Sequence, residues 1–245
     1  MMIFGGLQKT TLIDYPGKIA CVVYTLGCTF RCPFCYSSEI VLPEKIKKQP
    51  KISEKEVFDF LKERKGLIEG VVFCGGEPTI NSELPDFIKK IKNLGYLVKL
   101  DTNGSNPEML EKLIKEKLIN YVAMDIKAPL GLKSQFSIPN FQKSDYEKAA
   151  GVKFDIEKVK KSIGMIKNSG IDYEFRTTVV PSIHTREDII QLARDISPAK
   201  KYYLQNFRAE KTLDPKFEKI RPYSKEFLLE IQEIISPFFE ICQVR

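Results

Sequence analysis

The chain alternates short apolar runs with longer stretches in which apolar residues recur every three or four positions. Short runs of this kind predict buried strands, and the longer pattern predicts helices that bury one face. Strands are predicted at residues 3–15, 18–26, 71–74, 96–101, 121–127, 171–180 and 201–206. Helices are predicted at residues 53–65, 84–94, 107–118, 155–169, 185–196 and 224–236.

Strand and helix alternate about six times along the chain, which predicts an α/β fold with a parallel sheet. Right-handed crossovers would curl that sheet into all or part of a (βα) barrel, and a doubly wound sheet is the alternative. We expect one domain over residues 1–245, with a core at about 18–206, an N-terminal strand extension and a C-terminal helix. The stretch 128–154 shows no regular pattern and is long for a connector, which is typical of functional loops.

The loop after the first core strand carries three cysteines, Cys28, Cys32 and Cys35, at C-x3-C-x2-C spacing. Thiolates are soft ligands, so this spacing indicates zinc or an iron–sulfur cluster. A structural zinc site would need a fourth ligand, and neither a second C-x2-C nor an H-x3-H follows nearby. A four-iron cluster held by three cysteines would keep one iron open to a substrate or cofactor. Three incidental buried thiols are the alternative, which the tight spacing disfavours.

Three polar motifs lie at the carboxyl ends of predicted strands: GGEP at 75–78, DTNG at 101–104 and MDIK at 124–127. The carboxyl ends of parallel strands meet at one edge of a sheet, so these motifs are expected together. Glycines in the first motif would let a ligand approach the main chain, although a plain turn also accounts for them. The second motif is equally typical of a turn. Asp125 and Lys127 could meet one ligand or form a structural ion pair.

The cysteine spacing, with Phe34 directly before the last cysteine, is similar to the signature of the radical S-adenosylmethionine (SAM) superfamily. Together with GGEP, DTNG and MDIK it resembles the glycyl-radical enzyme activating enzymes, from about Gly6 to Pro181. These include pyruvate formate-lyase activase and the anaerobic ribonucleoside-triphosphate reductase activating proteins. The opening GGLQKTTLIDYPGK favours the second type. The resemblance implies a partial (βα)6 TIM-like barrel of the radical SAM type.

The resemblance also implies the ligands of the cofactors. Cys28, Cys32 and Cys35 would hold a [4Fe–4S] cluster whose open iron binds the amino and carboxylate groups of SAM. A monovalent cation beside the SAM carboxylate would have a site made by Asp101, Thr102, the Met124 carbonyl and Asp125. The resemblance also implies a set of cofactor-binding residues, two of which are shared with the cation site. They are Phe34, Tyr36, Gly75, Gly76, Glu77, Asp101, Asp125, Ile126, Lys127, Arg176, Gln205 and Phe207.

Some of these residues have an implied partner on the cofactor. Phe34 would lie against the adenine, and the GGE residues would contact the methionyl amino group. Arg176 would point toward the cofactor at the carboxyl ends of the strands, although a salt-bridged strand residue is an equal alternative. Gln205 and Phe207 stand where pyruvate formate-lyase activase carries a histidine near the adenine, so the adenine contact there is open. No catalytic residue is expected beyond the cluster and SAM.

The function that the resemblance implies is hydrogen abstraction from a glycine of a glycyl-radical enzyme, with anaerobic ribonucleotide reductase as the expected partner. Flavodoxin or ferredoxin is the expected electron donor. The alternative is a radical SAM enzyme that acts on a small molecule such as a deazapurine precursor, for which we see no second set of polar pocket residues. A non-catalytic electron carrier or zinc protein would leave the three strand-end motifs unexplained.

Composition changes this picture little. The chain has 245 residues, 43% of them hydrophobic, and a net charge of +7, but its lysines alternate with glutamates as in EKIKKQPKISEKE. No nucleic-acid partner is therefore predicted.

No membrane span or secretion signal is evident, and a cytoplasmic location is expected. No Ser–His–Asp set or Walker loop points to hydrolysis or phosphoryl transfer. Cys21, Cys74 and Cys242 are predicted as reduced core residues, and His184 as a solvated surface residue.

Overall fold

The computed structural model of the protein describes residues 2–131 and 145–245. Its strands are β1 (Ile3–Thr11), β2 (Ala20–Thr25), β3 (Ile52–Ser53), β4 (Gly70–Gly75), β5 (Leu97–Thr102), β6 (Tyr121–Asp125), β7 (Asp172–Val179), β8 (Ala199–Asn206) and β9 (Phe239–Val244). Its helices are α1 (Ser38–Val41), α2 (Pro43–Ile46), α3 (Glu54–Glu63), α4 (Leu84–Asn93), α5 (Pro107–Lys115), α6 (Asp145–Ala150), α7 (Ile156–Asn168), α8 (Arg186–Ile196) and α9 (Lys225–Ile235).

Every predicted strand and helix is present, and the sequence pattern missed β3, β9, α1, α2 and α6. The prediction that the stretch 128–154 is irregular was wrong at α6. Residues 132–144 of that stretch lie outside the described residues.

Within the described residues the nine strands form one sheet in the order β3-β1-β2-β4-β5-β6-β7-β8-β9. From β2 to β9 along that order each neighbouring pair is parallel, whereas β1 is antiparallel to both β2 and β3. The parallel strands follow chain order without reversing, and a doubly wound sheet would reverse at a switch point. β3 and β9 remain as separate edges, so the sheet is an open, partial barrel. The predicted fold class is confirmed.

The helices pack against one face of the sheet. In β2, Cys21 and Val23 belong to the main core that includes the helices, while Ala20 and Val22 belong to a smaller cluster on the opposite face. Further along the strands this second face becomes charged. The charged residues on this face include Lys99, Asp101, Asp125, Glu174 and Arg176.

Helix starts are set by local capping. At α3, Ser53 accepts a hydrogen bond from the Glu56 main chain, and the Glu56 carboxylate accepts one from the Ser53 main chain. At α5, Asn106 accepts from the main chain of Met109, with Pro107 as the first helical residue. These caps end the loops that leave the carboxyl edge of the sheet. Among the described residues, no helix combines the length and apolar character needed to cross a membrane.

Candidate active site

A cavity of about 900 Å³ lies at the carboxyl ends of the parallel strands. Its volume falls in the range of roughly 300–1,000 Å³ that is usual for cofactor and ligand pockets. The predicted site residues that line it are Cys28, Cys32, Phe34, Cys35, Tyr36, Gly75, Gly76, Glu77, Asp101, Thr102, Asp125, Lys127, Arg176 and Gln205. The side chains of Met124, Ile126 and Phe207 are instead buried in the core.

The three cysteines of the loop after β2 open into this cavity as free thiols. The Phe30 main-chain N–H lies 3.4 Å from Cys28 Sγ, and Nδ2 of Asn103 lies 3.7 Å from the same sulfur. Burial raises the pKa of Cys28 to about 11 and that of Cys32 to about 12. Both are therefore neutral thiols at pH 7, and binding iron would require their deprotonation.

The donor set fits an iron–sulfur cluster. It offers three soft sulfur ligands in one cavity, with N–H groups directed at Cys28 Sγ, as second-shell donors to cluster sulfurs are. In the ranges 2–131 and 145–245, no three His, Cys, Asp or Glu side chains are grouped as ligands of a single ion. The three thiols are thus not arranged around one metal ion.

The two glycines at the end of β4 are required by packing against the end of β2 and the start of the loop that carries the cysteines. A Cβ on Gly76 would lie 1.8 Å from the Gly27 carbonyl oxygen, and one on Gly75, where φ is +115°, would lie 2.6 Å from the Thr25 nitrogen. In return, Gly76 N–H donates to the Thr25 carbonyl at 3.1 Å and Glu77 N–H to that of Gly27 at 2.8 Å. These glycines therefore allow close packing of the chain's own backbone, and the approach of a ligand to them stays a prediction.

Glu77 connects the loops after β4 and β5. Its Oε1 accepts from the Thr79 main chain and hydroxyl at 3.1 and 2.6 Å and from the Thr102 hydroxyl at 2.8 Å, while Oε2 accepts from Asn103 N–H at 2.7 Å. Burial raises the pKa of Glu77, and these donors oppose that effect. Glu77 therefore holds two strand-end motifs in a fixed relation.

A charged network crosses β5, β6 and β7 on the cavity side. Arg176 Nη1 lies 3.0 Å from Asp101 Oδ2, and its Nε lies 2.9 Å from Asp125 Oδ1. Lys127 Nζ lies 3.0 Å from Asp125 Oδ2, so these residues form the ion pair that was one of the two alternatives for them, and Lys99 Nζ lies 2.5 Å from Asp101 Oδ1. Burial alone would raise the pKa of Asp125, but Arg176 and Lys127 hold it well below its ordinary value. Arg176 thus lies at the cavity and is also an ion-pair residue.

The loop after β8 packs on the cysteine loop from the other side. The rings of Tyr36 and Phe207 stack with centroids 6.3 Å apart, and Arg208 N–H donates to the Tyr36 hydroxyl at 2.8 Å. Asp214 N–H donates to the Pro33 carbonyl at 2.9 Å. Tyr36 and Phe207, both predicted at the cofactor, therefore join these two loops.

Lys127 is positioned by His184, a residue predicted to be solvated. That prediction was wrong, because His184 is only 1% exposed. Val180 N–H donates to its Nδ1 at 2.9 Å, which leaves Nε2–H to donate to the Lys127 carbonyl at 2.7 Å. Both ring nitrogens are satisfied, so the neutral imidazole tolerates burial. The Lys127 ammonium in turn lies 5.9 Å from the centre of the Phe34 ring.

The cavity lining also includes residues that were not recognised from the sequence, among them Asn103, Cys74 and Lys99. Asn103 was interpreted as part of a turn, Cys74 was predicted as a core residue but lines the cavity, and Lys99 drew no prediction. Lys99 carried a usable signal, because a lysine two positions before Asp101 on an apolar strand shares its face.

Comparisons with known proteins identify the family of this chain. The model of the Radical SAM superfamily matches residues 22–196. A protein of Methanocaldococcus jannaschii, provisionally named a glycyl-radical enzyme activating enzyme, is 30% identical over 99% of this chain and 95% of its own. The 7-carboxy-7-deazaguanine synthase of Aquifex aeolicus is 32% identical over 32% of this chain and 33% of its own.

Among solved structures, SuiB of Streptococcus suis bound to S-adenosylmethionine gives a TM-score of 0.66 at 17% identity. The superposition covers 91% of this chain and 49% of SuiB, so this chain spans about half of that protein, and the likeness shows the fold. The family match covers most of the chain. The chain therefore belongs to the radical SAM superfamily, whose members use a [4Fe–4S] cluster and SAM.

Proposed function

We propose that this protein reductively cleaves SAM at a [4Fe–4S] cluster and abstracts a hydrogen atom from a glycine of a glycyl-radical enzyme, with anaerobic ribonucleotide reductase as the partner. The observation that carries the proposal is the relative from M. jannaschii, provisionally named an activating enzyme, which aligns with 99% of this chain. An alignment of this length includes the loops around the cavity as well as the cluster motif.

The cysteines Cys28, Cys32 and Cys35 would hold the cluster. When bound, the cluster and SAM supply a one-electron cleavage that yields a carbon radical able to take hydrogen from a C–H group. The chain's own residues would bind and orient SAM and exclude water from the cavity. Phe34 would pack against the adenine, and the main chain at Gly75 and Gly76 would face the methionyl amino group.

The charged network would orient the carboxylate end of SAM. Lys127 and Arg176 are held by Asp125, and His184 holds the Lys127 main chain. Groups already fixed in this way need little reorganisation when an anion binds. We assign Lys127 and Arg176 to the SAM carboxylate on this basis, and Gln205 to the adenine side of the cavity.

The extent of the cavity supports a protein substrate. Its lining includes Ile13 in the connection between β1 and β2, near one end of the open sheet, and Arg208 after β8, near the other. A cavity that spans this much of the sheet offers room for a chain segment beside SAM. A flavodoxin or ferredoxin as electron donor, a cytoplasmic location, a single domain, and no nucleic-acid or membrane partner stay predictions.

A small-molecule substrate is the second candidate, such as a deazapurine precursor. It is favoured by the partial similarity to the deazaguanine synthase of A. aeolicus, which covers 32% of this chain. That alignment leaves about two thirds of this chain uncompared.

The test is anaerobic incubation of the reduced protein with SAM and a glycyl-radical enzyme encoded beside it. We expect a doublet electron paramagnetic resonance signal on the partner, and its loss when the partner's radical glycine is replaced by alanine. Cys32→Ala in this protein is the matched control and should give no signal. Deoxyadenosine formed in step with a modified metabolite, with no radical on the partner, would instead establish the small-molecule reaction.

A further inference from the structure

Lys99 is a buried lysine in the middle of β5 and lines the cavity. It is 1% exposed, and its Nζ lies 2.5 Å from Asp101 Oδ1. An ammonium group taken out of water costs several kcal/mol unless a partner compensates it. Asp101 follows two positions later, so both side chains point to the same face of the strand. The Lys99–Asp101 pair is therefore built into β5.

The two carboxylates predicted to bind a monovalent cation already have fixed cationic partners. Asp101 Oδ1 contacts Lys99 and Oδ2 contacts Arg176 at 3.0 Å. Asp125 Oδ1 contacts Arg176 at 2.9 Å and Oδ2 contacts Lys127 at 3.0 Å. Each of the four oxygens thus has one side-chain cation at hydrogen-bond distance.

The hydroxyl of the predicted cation site points elsewhere. Thr102 follows Asp101 on β5, so its side chain points to the opposite face. Its hydroxyl donates to Glu77 Oε1 at 2.8 Å and accepts from Gly104 N–H at 3.1 Å. Two carboxylates and this hydroxyl do not converge as the ligands of one hard cation.

Charge balance leads to the same conclusion. The network holds four positive groups and three negative ones, with Glu174 Oε1 lying 3.9 Å from Arg176 Nη1 and 3.5 Å from Arg245 Nη1. These groups are Lys99, Lys127, Arg176, Arg245, Asp101, Asp125 and Glu174. An added cation would be an uncompensated charge in a partly buried site.

We propose that the Lys99 ammonium takes the place of the monovalent cation, so that this protein binds SAM without Na⁺ or K⁺. Lys99 is a positioning residue: it holds Asp101, which holds Arg176. The proposal rests on SAM binding, which belongs to the family, and is independent of whether the substrate is a glycyl-radical enzyme.

The experiment measures SAM affinity by calorimetry on the reconstituted protein, at constant ionic strength, in KCl, NaCl or choline chloride. We expect the wild-type dissociation constant to change less than about twofold among the three salts. Lys99→Met keeps the length of the side chain and removes its charge. We expect this variant to bind SAM at least about tenfold more weakly in choline and to recover in K⁺ or Na⁺.

A second measurement needs neither cluster nor SAM. A cation that binds only the folded protein raises its melting temperature. We expect the melting temperature of the apoprotein to be the same in KCl and choline chloride for the wild type, and several degrees higher in KCl for Lys99→Met. Lys201→Met is the matched control, because Lys201 lies 5.2 Å from the Tyr121 ring and contacts neither Asp101 nor Asp125.

Three outcomes would overturn the proposal. The first is wild-type SAM binding that weakens tenfold in choline and returns with K⁺. The second is Lys99→Met binding SAM as the wild type does in choline. The third is weak binding by Lys99→Met that neither K⁺ nor Na⁺ restores. If Lys99→Met does not fold, the wild-type salt series and its melting temperatures decide.

Discussion

The side-chain amide of Asn103 lies 3.7 Å from Sγ of Cys28, so the loop after β5 contacts a cysteine of the loop after β2. The same Nδ2 donates to Thr29 Oγ1 at 3.0 Å, and the Asn103 main-chain N–H donates to Glu77 at 2.7 Å. Asn103 is thus held from two sides, with its amide directed at a predicted iron ligand. Hydrogen bonds to cluster sulfurs are one of the means by which proteins set a reduction potential.

We predict that Asn103→Ala lowers the reduction potential of the cluster by on the order of tens of millivolts. Loss of the N–H donor leaves more electron density on the sulfur, which favours the oxidised cluster. The measurement is a spectroelectrochemical titration of the reconstituted protein. Asn81→Ala is the control, because Nδ2 of Asn81 donates to the Pro78 carbonyl at 3.0 Å instead of to a thiol. Equal potentials in both variants would show that the Asn103 amide does not act on the cluster.

Anaerobic reconstitution should yield about four irons and four sulfides per chain. We expect Cys32→Ala to lose the cluster, as should the same change at Cys28 or Cys35, because each supplies one of three ligands. Iron and sulfide analysis with the visible absorption spectrum measures this. Cys74→Ala tests specificity, since Cys74 is a free thiol that lines the same cavity but lies outside the C-x3-C-x2-C loop. It should retain full cluster content, and a loss there would contradict the ligand assignment.

Gly76→Ala should destabilise the apoprotein by about 2 kcal/mol or more, because its Cβ would lie 1.8 Å from the Gly27 carbonyl oxygen and the backbone must shift. We expect poor cluster reconstitution as well, since Gly27 directly precedes Cys28. Urea denaturation measures the change in the free energy of unfolding.

Gly164→Ala in α7 is the matched control for that substitution. Apart from its chain neighbours and the backbone of its own helix, no heavy atom lies within 4 Å of a Cβ at Gly164, and alanine is the better helix former by about 0.5–1 kcal/mol. This variant should be slightly more stable than the wild type. If both alanine variants had the same stability, the packing argument for Gly76 would fail.

The buried His184 should make the protein less stable in mild acid. Burial lowers its pKa in the folded state, whereas in the unfolded chain the value is about 6.5. The unfolded state therefore binds more protons below that pH, so the stabilisation present above about pH 6.5 is lost progressively as the pH falls toward the folded-state value. The charged groups that face the ring are Lys127, Asp145 and Asp188.

The measurement is the free energy of unfolding of the apoprotein between pH 5 and 8, for the wild type and His184→Gln. Glutamine can accept from Val180 N–H and donate to the Lys127 carbonyl, but it does not titrate. We expect the difference between the two proteins to shift in favour of the variant as the pH falls below about 6.5. A pH-independent difference would mean that the pKa of His184 is the same in the folded and the unfolded protein.

The sequence by itself determined the strand and helix order and the place of the cofactor motifs. Apolar periodicity is a local property, and every predicted strand and helix is present. The spacing of Cys28, Cys32 and Cys35 is also local. Because parallel strands bring their carboxyl ends to one edge, GGEP, DTNG and MDIK were expected together, and all three motifs contribute residues to the cavity.

Only the tertiary structure decided which side chains pair across that edge. Arg176 meets Asp101 and Asp125 from positions 75 and 51 residues away, and His184 meets the Lys127 carbonyl from 57 residues away. A histidine whose two ring nitrogens are hydrogen-bonded in the protein interior looks the same in sequence as one in water. Which side chains pair depends on sheet register and loop packing, which no local pattern encodes. Only the tertiary structure shows that Lys99, which drew no prediction from the sequence, is the counter-charge of Asp101.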